Sequence, residues 1–590
     1  MDKTNTTATI TPHTDRNSFV FEPGLFGINT EVTRKGFCGG ICAQMLNNRK
    51  LFMGTEGVDG WECTDFVRVI DRPEESLCRS NFVILRSGSM TQTSDMIAPG
   101  TGREYEAAVW VRAISKKAVI SFGIQGEERA FEVEADGKAF HKLAFVFAGR
   151  DSGSGIFTIS VKGEVAVYEA SLIPTDNYYG MRRDVIENLR ALHVPSVRFP
   201  GGCYADHFEW KESLKLPEFR KPVDGRSKLF MLRDSWHQDC VEVGINEFIL
   251  LCREIGAEPE FTVSLLRSDG EDARRLVEYC NGGIDTEYGA IRNALGFDAF
   301  NIKTWYIGNE PYYSGGPYRV DGGLAAKRTS ELVNAMRTVD PGINAVICLV
   351  SDPGLRAWSV DFMKNLDCGF EYVSYHWYYG TGPTAAPDGI TACERMKRTY
   401  LHDVDEGLEF FKNELLAPVW DRCRVNVDEW NFCWGSGSNN ALLISNALQL
   451  QFFARNSEKY HIREARFFMP VNEGMITVTP AGSRLESSGE LFRLMAGHKG
   501  GRVIECEADT DAVDFLLTDH GDHFYLSAVN RRAEPVSLDL KGFTFAVGKE
   551  IVVRECSFTD NNYSIHETHK AEISGNSILF ATFSLTTQPF

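Results

Sequence analysis

Two glutamates carry the strongest chemical signal in this chain. Glu310 stands in Gly308-Asn309-Glu310-Pro311 and Glu429 in Val427-Asp428-Glu429-Trp430, and each closes an apolar, β-rich run. Aromatic side chains crowd both: Trp305, Tyr312 and Tyr313 about the first, Trp430 and Trp434 about the second. Two carboxyl groups flanking one acetal carbon can cleave a glycosidic bond, one protonating the leaving oxygen and the other attacking carbon or activating water. Aromatic faces suit the C–H faces of sugar rings. A lone acid chosen at random is a solvated loop carboxylate, and it is the pairing and the aromatic setting that lift these two above that reading.

Such a pair needs a scaffold that brings two distant strand ends together. Between about 176 and 471 the chain alternates short β-rich runs with segments of helical period, the pattern of parallel strands joined by crossover helices. Seven strands are expected: SVRFPGG (196–202), AEPEFTVSL (257–265), TWYIGNEP (304–311), NAVICLVSD (344–352), YVSYHWYY (372–379), RVNVDEWN (424–431) and EARFFMPV (464–471). Segments such as MRRDVIENLRALH, INEFILLCREIG and AAKRTSELVNAMRTV place apolar residues at helical spacing between them. GLFGIN (24–29) can supply an eighth strand, closing an α/β (β/α)8 TIM barrel whose active site lies at the C-terminal strand ends. That requires an insertion. The stretch 52–174 alternates like half-buried antiparallel strands and is expected to form a β-sandwich, and strand-rich sequence resumes after about Met475 as a second one. The division expected is thus 1–51 with the first barrel strand, 52–174 sandwich, 175–475 barrel and 476–590 C-terminal sandwich.

Composition narrows the partners. The 590 residues carry a formal charge of -19, which argues against a nucleic-acid ligand because such binders cluster Lys and Arg to displace counterions. Fifteen cysteines are scattered without paired CxxC spacing, as reduced thiols of an intracellular protein would be. The polar N-terminal stretch lacks the basic-then-apolar pattern of a secretion signal, and no apolar run approaches the roughly 20 residues that span a bilayer. A cytoplasmic location without membrane attachment is expected. His566-Glu567-Thr568-His569 lacks the HExxH spacing, and the Gly-rich turn at Gly380 has no Walker lysine, so neither metal nor cofactor is implied.

Several motifs in order resemble glycoside hydrolase family 51, the α-L-arabinofuranosidase family: LFGINTEVTRKGFCGGICAQMLNNRKLF, LRALHVPSVRFPGGCYADHFEWKESL, WYIGNEPYYSGG, YVSYHWYYG, VDEWN and MPVNEGMITVTPAGSRLESSGELFRLMAGHKGG. The inserted segment is similar to the carbohydrate-binding-like sandwich of long members. The resemblance implies a retaining, exo-acting α-L-arabinofuranosidase with Glu310 as acid/base and Glu429 as nucleophile. It further implies that Asn309 bonds the sugar 2-hydroxyl, Glu31 grips sugar hydroxyls, Cys203 floors the sugar pocket, and His376 and Tyr378 flank the nucleophile. Trp434 and Asn472 match further substrate contacts. Two positions depart from the family pattern: Cys433 stands where many members carry Trp, and Met469 where many carry Gln. Both touch sugar contacts rather than the carboxylate pair, so they bear on which sugar is cleaved. An endo-β-glucanase, β-xylosidase or galactofuranosidase on the same scaffold, or a catalytically silent carbohydrate-binding protein, are the alternatives. The expected partner is carbohydrate, as oligosaccharides or polysaccharide side chains; homo-oligomerisation is compatible with the sequence.

Overall fold

A computed structural model of the chain describes residues 6–13, 18–52, 58–69, 82–137, 139–150, 155–224, 238–239, 241–313, 320–378, 401–432, 440–532, 534–540, 553–556, 565–568, 572–573, 575 and 577–583. Eight parallel strands close into a barrel: β1 (Leu25–Asn29), β2 (Ser196–Phe199), β3 (Glu258–Val263), β4 (Thr304–Ile307), β5 (Asn344–Cys348), β6 (Tyr372–Tyr378), β7 (Arg424–Asn431) and β8 (Ile462–Phe468), with β8 pairing back onto β1. All eight expected strands are present, and the first is the short segment ahead of the long insertion. Burial on both faces explains their near-continuous apolar runs.

The crossover helices are set by local signals. Helix Ile245–Ile255 begins where the Glu247 carboxylate accepts the Gly244 N–H at 2.8 Å, and it ends at Gly256, whose left-handed φ of +76° favours glycine. Helices Gly270–Asn281 and Gly322–Arg337 are capped by Asp269 and Asp321, each accepting a backbone N–H one turn on.

Two five-stranded antiparallel sheets form the inserted sandwich, one running 129–134, 117–124, 156–162, 89–93, 62–63 and the other 141–148, 104–113, 164–174, 82–86, 66–69. Its core of Trp61, Leu85, Val109, Phe122, Phe157 and Val167 is separate from the barrel core. Charge ties it to the barrel. Arg49 bonds Glu169 of the sandwich and Glu242 of the loop after β2, while Lys50 donates to the carbonyls of Pro217 and Arg220 in that loop. Arg220 completes the cluster by pairing with Glu247 at 2.9 Å, and all six side chains are buried.

Two boundaries differ from the sequence expectation. The barrel core continues past 475, because helix Ser487–Met495 packs Phe492 against Phe26, Trp430 and Phe467 and so serves as the eighth barrel helix. Nor does the start of the chain lie wholly with the barrel. Thr6–Pro12 pairs with 506–508 and 536–540, and Phe19–Val20 with 502–503, making both part of the C-terminal sandwich. Short alternating segments do not identify partners so distant in sequence.

Candidate active site

The two glutamates meet at the C-terminal mouth of the barrel. Glu310 follows β4 through a turn in which Gly308 and Glu310 both have left-handed backbones, φ +86° and +42°. A Cβ at Gly308 would lie 2.6 Å from that of Leu265, so glycine is required there. Left-handed geometry at a non-glycine residue is a strain that surrounding structure must hold, and here it aims a carboxyl into the mouth. Glu429 is delivered by an irregularity in β7: Tyr375 pairs with Val427 but His376 with Glu429, so Asp428 is the extra residue of a bulge. In a regular strand adjacent side chains point to opposite faces; this bulge lets Asp428 and Glu429 both reach the barrel interior.

One oxygen of Glu310, one of Glu429 and a ring nitrogen of His376 lie within 4.8 Å of one another. Their environments differ. Glu429 is buried and accepts three hydrogen bonds: from Arg198 at 3.0 Å and Asn29 at 3.4 Å on Oε1, and from the Tyr378 hydroxyl at 2.8 Å on Oε2. Glu310 is more open and has one such contact, His376 Nδ1 at 2.8 Å. Burial pushes the Glu429 carboxyl up, the charges of His376 and Arg198 oppose it, and Glu310 adds to the rise. Two carboxyls this close interact, and Glu429 is the one that three donors address.

His376 joins the acids. Its Nε2 lies 3.4 Å from Asp428, whose other oxygen accepts the Ser374 hydroxyl at 2.8 Å. Burial disfavours the imidazolium, but Glu429 and Asp428 override it and lift the His376 pKa well above the usual range. Burial likewise works against the Asp428 carboxylate, and His376 and Arg198 outweigh it to hold that group low.

The residues expected to face a sugar surround this pair. Asn309 accepts from Arg198 at 2.9 Å and turns its amide nitrogen toward Cys203 Sγ at 3.6 Å. Glu31 accepts the Tyr204 N–H at 2.7 Å and lies 3.9 Å from Arg34; burial pushes its carboxyl up to about 7. Gly201 and Gly202 carry the loop past both acids, since a Cβ on Gly201 would strike Glu31 and one on Gly202 would lie 2.5 Å from Glu429 Oε1. Glu31, Cys203, Asn309, His376 and Tyr378 are therefore brought together with the pair. Asn472 fixes backbone: its amide donates to the carbonyls of Lys35 and Gly39 and its oxygen accepts from Val478. Trp434 and Cys433 lie outside the described residues, as do Gly380 and His569.

Sequence reasoning missed Asn29, Arg198 and Asp428. An arginine inside the apolar run SVRF, fully buried in the structure, was the available signal for Arg198, because a buried cation needs an anion. Glu310, His376 and Glu429 also have the side-chain types of a cation site. Glu429 is already bonded by Arg198, Asn29 and Tyr378, and a dication there would sit against the Arg198 guanidinium. Among the described residues no helix is long and apolar enough to cross a membrane.

Residues 188–384 match the family model described as alpha-L-arabinofuranosidase 1 domain. Curated relatives include the intracellular exo-alpha-(1->5)-L-arabinofuranosidases of Acetivibrio thermocellus, 29% identical over 45% of this chain and 52% of that protein, and of Halalkalibacterium halodurans, 33% identical over 45% and 53%. The matched region spans about half the length of these relatives. Among solved structures, an arabinose-bound GH51 α-L-arabinofuranosidase aligns with TM-score 0.76 at 14% identity, covering 98% of this chain and 100% of that one. The Thermotoga maritima α-L-arabinofuranosidase–arabinose complex aligns with TM-score 0.58 at 21% identity, covering 69% and 91%. At such identities the structural likeness speaks to the fold.

Proposed function

We propose that the chain is a member of glycoside hydrolase family 51 and acts as a retaining, exo-acting α-L-arabinofuranosidase that releases arabinose from arabinan- or arabinoxylan-type glycans. The observation that carries this reading is the pair itself. Two carboxyls from the ends of β4 and β7, with oxygens within 4.8 Å, leave no room for the intervening water that separates inverting pairs by about 6.5 to 9.5 Å.

Glu429, held anionic by Arg198, Asn29 and Tyr378, attacks the anomeric carbon as Glu310 transfers its proton to the departing oxygen. The His376 contact on Oε1 leaves Oε2 of Glu310 to carry that proton. A glycosyl ester on Glu429 follows. Esterification removes the negative charge beside Glu310, so the deprotonated Glu310 is now the stable form and takes a proton from water as that water attacks the same carbon. Two displacements restore the original configuration. Asn309 Nδ2, whose partner oxygen is fixed by Arg198, is placed to donate to the sugar 2-hydroxyl, and Glu31 accepts from the remaining hydroxyls.

Relatives named intracellular, together with the scattered thiols, support an intracellular site of action. The test is turnover of p-nitrophenyl α-L-arabinofuranoside beside the β-xyloside, β-glucoside and β-galactofuranoside. The arabinofuranoside is expected to lead in kcat/KM. Another glycoside leading would reassign the sugar and leave the two-carboxyl mechanism standing; absence of turnover on every member would overturn the enzyme reading.

A further inference from the structure

Beneath the catalytic carboxylates the barrel interior holds a second layer of charge. Arg466 of β8 pairs with Glu260 of β3 at 2.5 Å and with Glu464, and donates to Ser196 at 3.1 Å. All are buried. Nothing in the proposed chemistry uses them, yet they are not isolated from it. Tyr306 of β4 lies between the layers, itself fully buried. On one side its hydroxyl accepts from Arg466 and, at 2.8 Å, from Asn426 of β7. On the other, the Arg198 guanidinium carbon sits 4.6 Å from the ring centroid.

Arg198 is the hub of the upper layer. Its Nε donates to Thr262, one terminal nitrogen to Glu429 and the other to Asn309. Hydrogen bonds fix the edges of a guanidinium; what sets the tilt of its plane is the surface it lies against. Here that surface is an aromatic face, whose attraction for a cation is strong where water is excluded.

We propose that Tyr306 is a positioning residue for the nucleophile: its ring seats Arg198 against Glu429, and the clamp of Arg466 and Asn426 on its hydroxyl fixes the ring. Glu260 and Glu464 act at one remove, by holding Arg466. The inference rests on Glu429 being the nucleophile, and it assigns no substrate contact to Tyr306.

The test compares Tyr306→Phe, which keeps the ring and frees the clamp, with Tyr306→Leu, which removes the ring. On the preferred aryl glycoside, kcat should fall about fivefold in Tyr306→Phe and about a hundredfold in Tyr306→Leu, with KM within about twofold of wild type. Glu429 is faced by Arg198 from β2, Glu310 after β4, His376 and Tyr378 from β6, Asp428 beside it and Glu31 after β1. Loosening Arg198 removes one of the two cations that favour its charge, so the acid limb of kcat/KM should move to higher pH in both variants. A merely structural tyrosine would lower melting temperature and active fraction, leaving that limb in place. Unchanged kcat and acid limb in Tyr306→Phe, once active sites are titrated, overturns the proposal even if Tyr306→Leu does not fold. Crystal structures of the variants separate it from the parent reading: Arg198 keeping its wild-type tilt and its contact with Glu429 in both overturns the positioning role whatever glycoside is cleaved, whereas a displaced Arg198 in a protein that cleaves none supports it and sinks only the parent reading.

Discussion

At the residue scale, the two acids differ in what surrounds them, and that difference predicts how their removal should read out. Glu429→Ala removes the attacking oxygen, so turnover should fall by several orders of magnitude whatever the leaving group. Glu310→Ala should still be glycosylated by activated aryl substrates, which depart without a proton, and should stall at the glycosyl ester for want of a base. Azide needs no base: it should rescue Glu310→Ala to a glycosyl azide of retained configuration and Glu429→Ala to the inverted one. Reversed stereochemistry would exchange the two roles. Glu31 supports a second prediction. Its folded pKa, near 7, lies above the ordinary carboxylate value, so the native state holds a proton that the unfolded chain releases, and stability falls as pH rises from about 4.5 through 7. Glu31→Gln keeps the oxygen that accepts from Tyr204 and removes the buried charge. It should melt above wild type at pH 8, by a margin that narrows toward pH 5, while KM rises at least tenfold. A margin independent of pH would show that Glu31 is not ionising there. The meeting of Glu310 and Glu429 was legible from sequence because each stands in a short motif at a strand end. Arg198 was not, since one arginine in an apolar run does not announce its anion, and the backbone contacts of Asn472 were not, because a motif gives a residue's place without its partners.

At the element scale, the decisive feature is the bulge in β7. A regular strand would hide either Asp428 or Glu429, and no sequence pattern announces where a ladder skips; that is why the barrel could be counted strand by strand while the joint use of two adjacent acids could not be foreseen. The eighth helix was missed for a related reason: an intervening hairpin, 476–479 with 482–485, made the barrel seem finished. That helix leads into His498, buried between the Thr518 and Ser527 hydroxyls at 3.0 and 2.9 Å, where it joins the barrel to the C-terminal sheet. Burial lowers its pKa to about 3, with His520 adding to the effect. A histidine held neutral contributes stability that is fully present above its unfolded pKa near 6.5 and is lost as pH falls from there toward 3. His498→Gln, which can still donate and accept, should therefore lower the melting temperature at pH 7.5 by more than at pH 5. A difference that stays constant or widens on acidification would contradict the neutral assignment.

At the scale of the whole molecule, the inserted sandwich invites reading as a detachable glycan-binding unit, in which case deleting 52–174 would weaken polymer hydrolysis more than aryl-glycoside hydrolysis. Its junction argues otherwise. Deletion removes Glu169 and leaves Arg49 with half its anionic partners, inside a cluster that also fixes the loop after β2. That loop carries Cys203 and the Tyr204 N–H that holds Glu31. Removing one partner of a buried ion pair costs about 3 to 5 kcal/mol, so the expected result is a lower melting temperature and a parallel loss on aryl and polymeric substrates. Full aryl activity in a stable truncated chain would restore the appendage reading. The three-part layout was visible in the alternation of periods, whereas the charged joint was not, because its members are spread from Arg49 to Glu247 and are unremarkable one by one.

The strand Thr6–Pro12 has a consequence for how the molecule is made. Thr9 bonds Asp509, 500 positions away, and the strand's other neighbour, 536–540, is further still. At a synthesis rate of roughly 5 to 20 residues per second, this segment leaves the ribosome about 25 to 100 seconds before the first of its partners exists. Until those partners exist, Ala8 and Ile10, fully buried in the finished protein, lack the strands that cover them. Production of this protein should therefore be limited by what the nascent chain meets during that wait, and chaperone supply should raise the soluble yield more than any change made at the catalytic mouth.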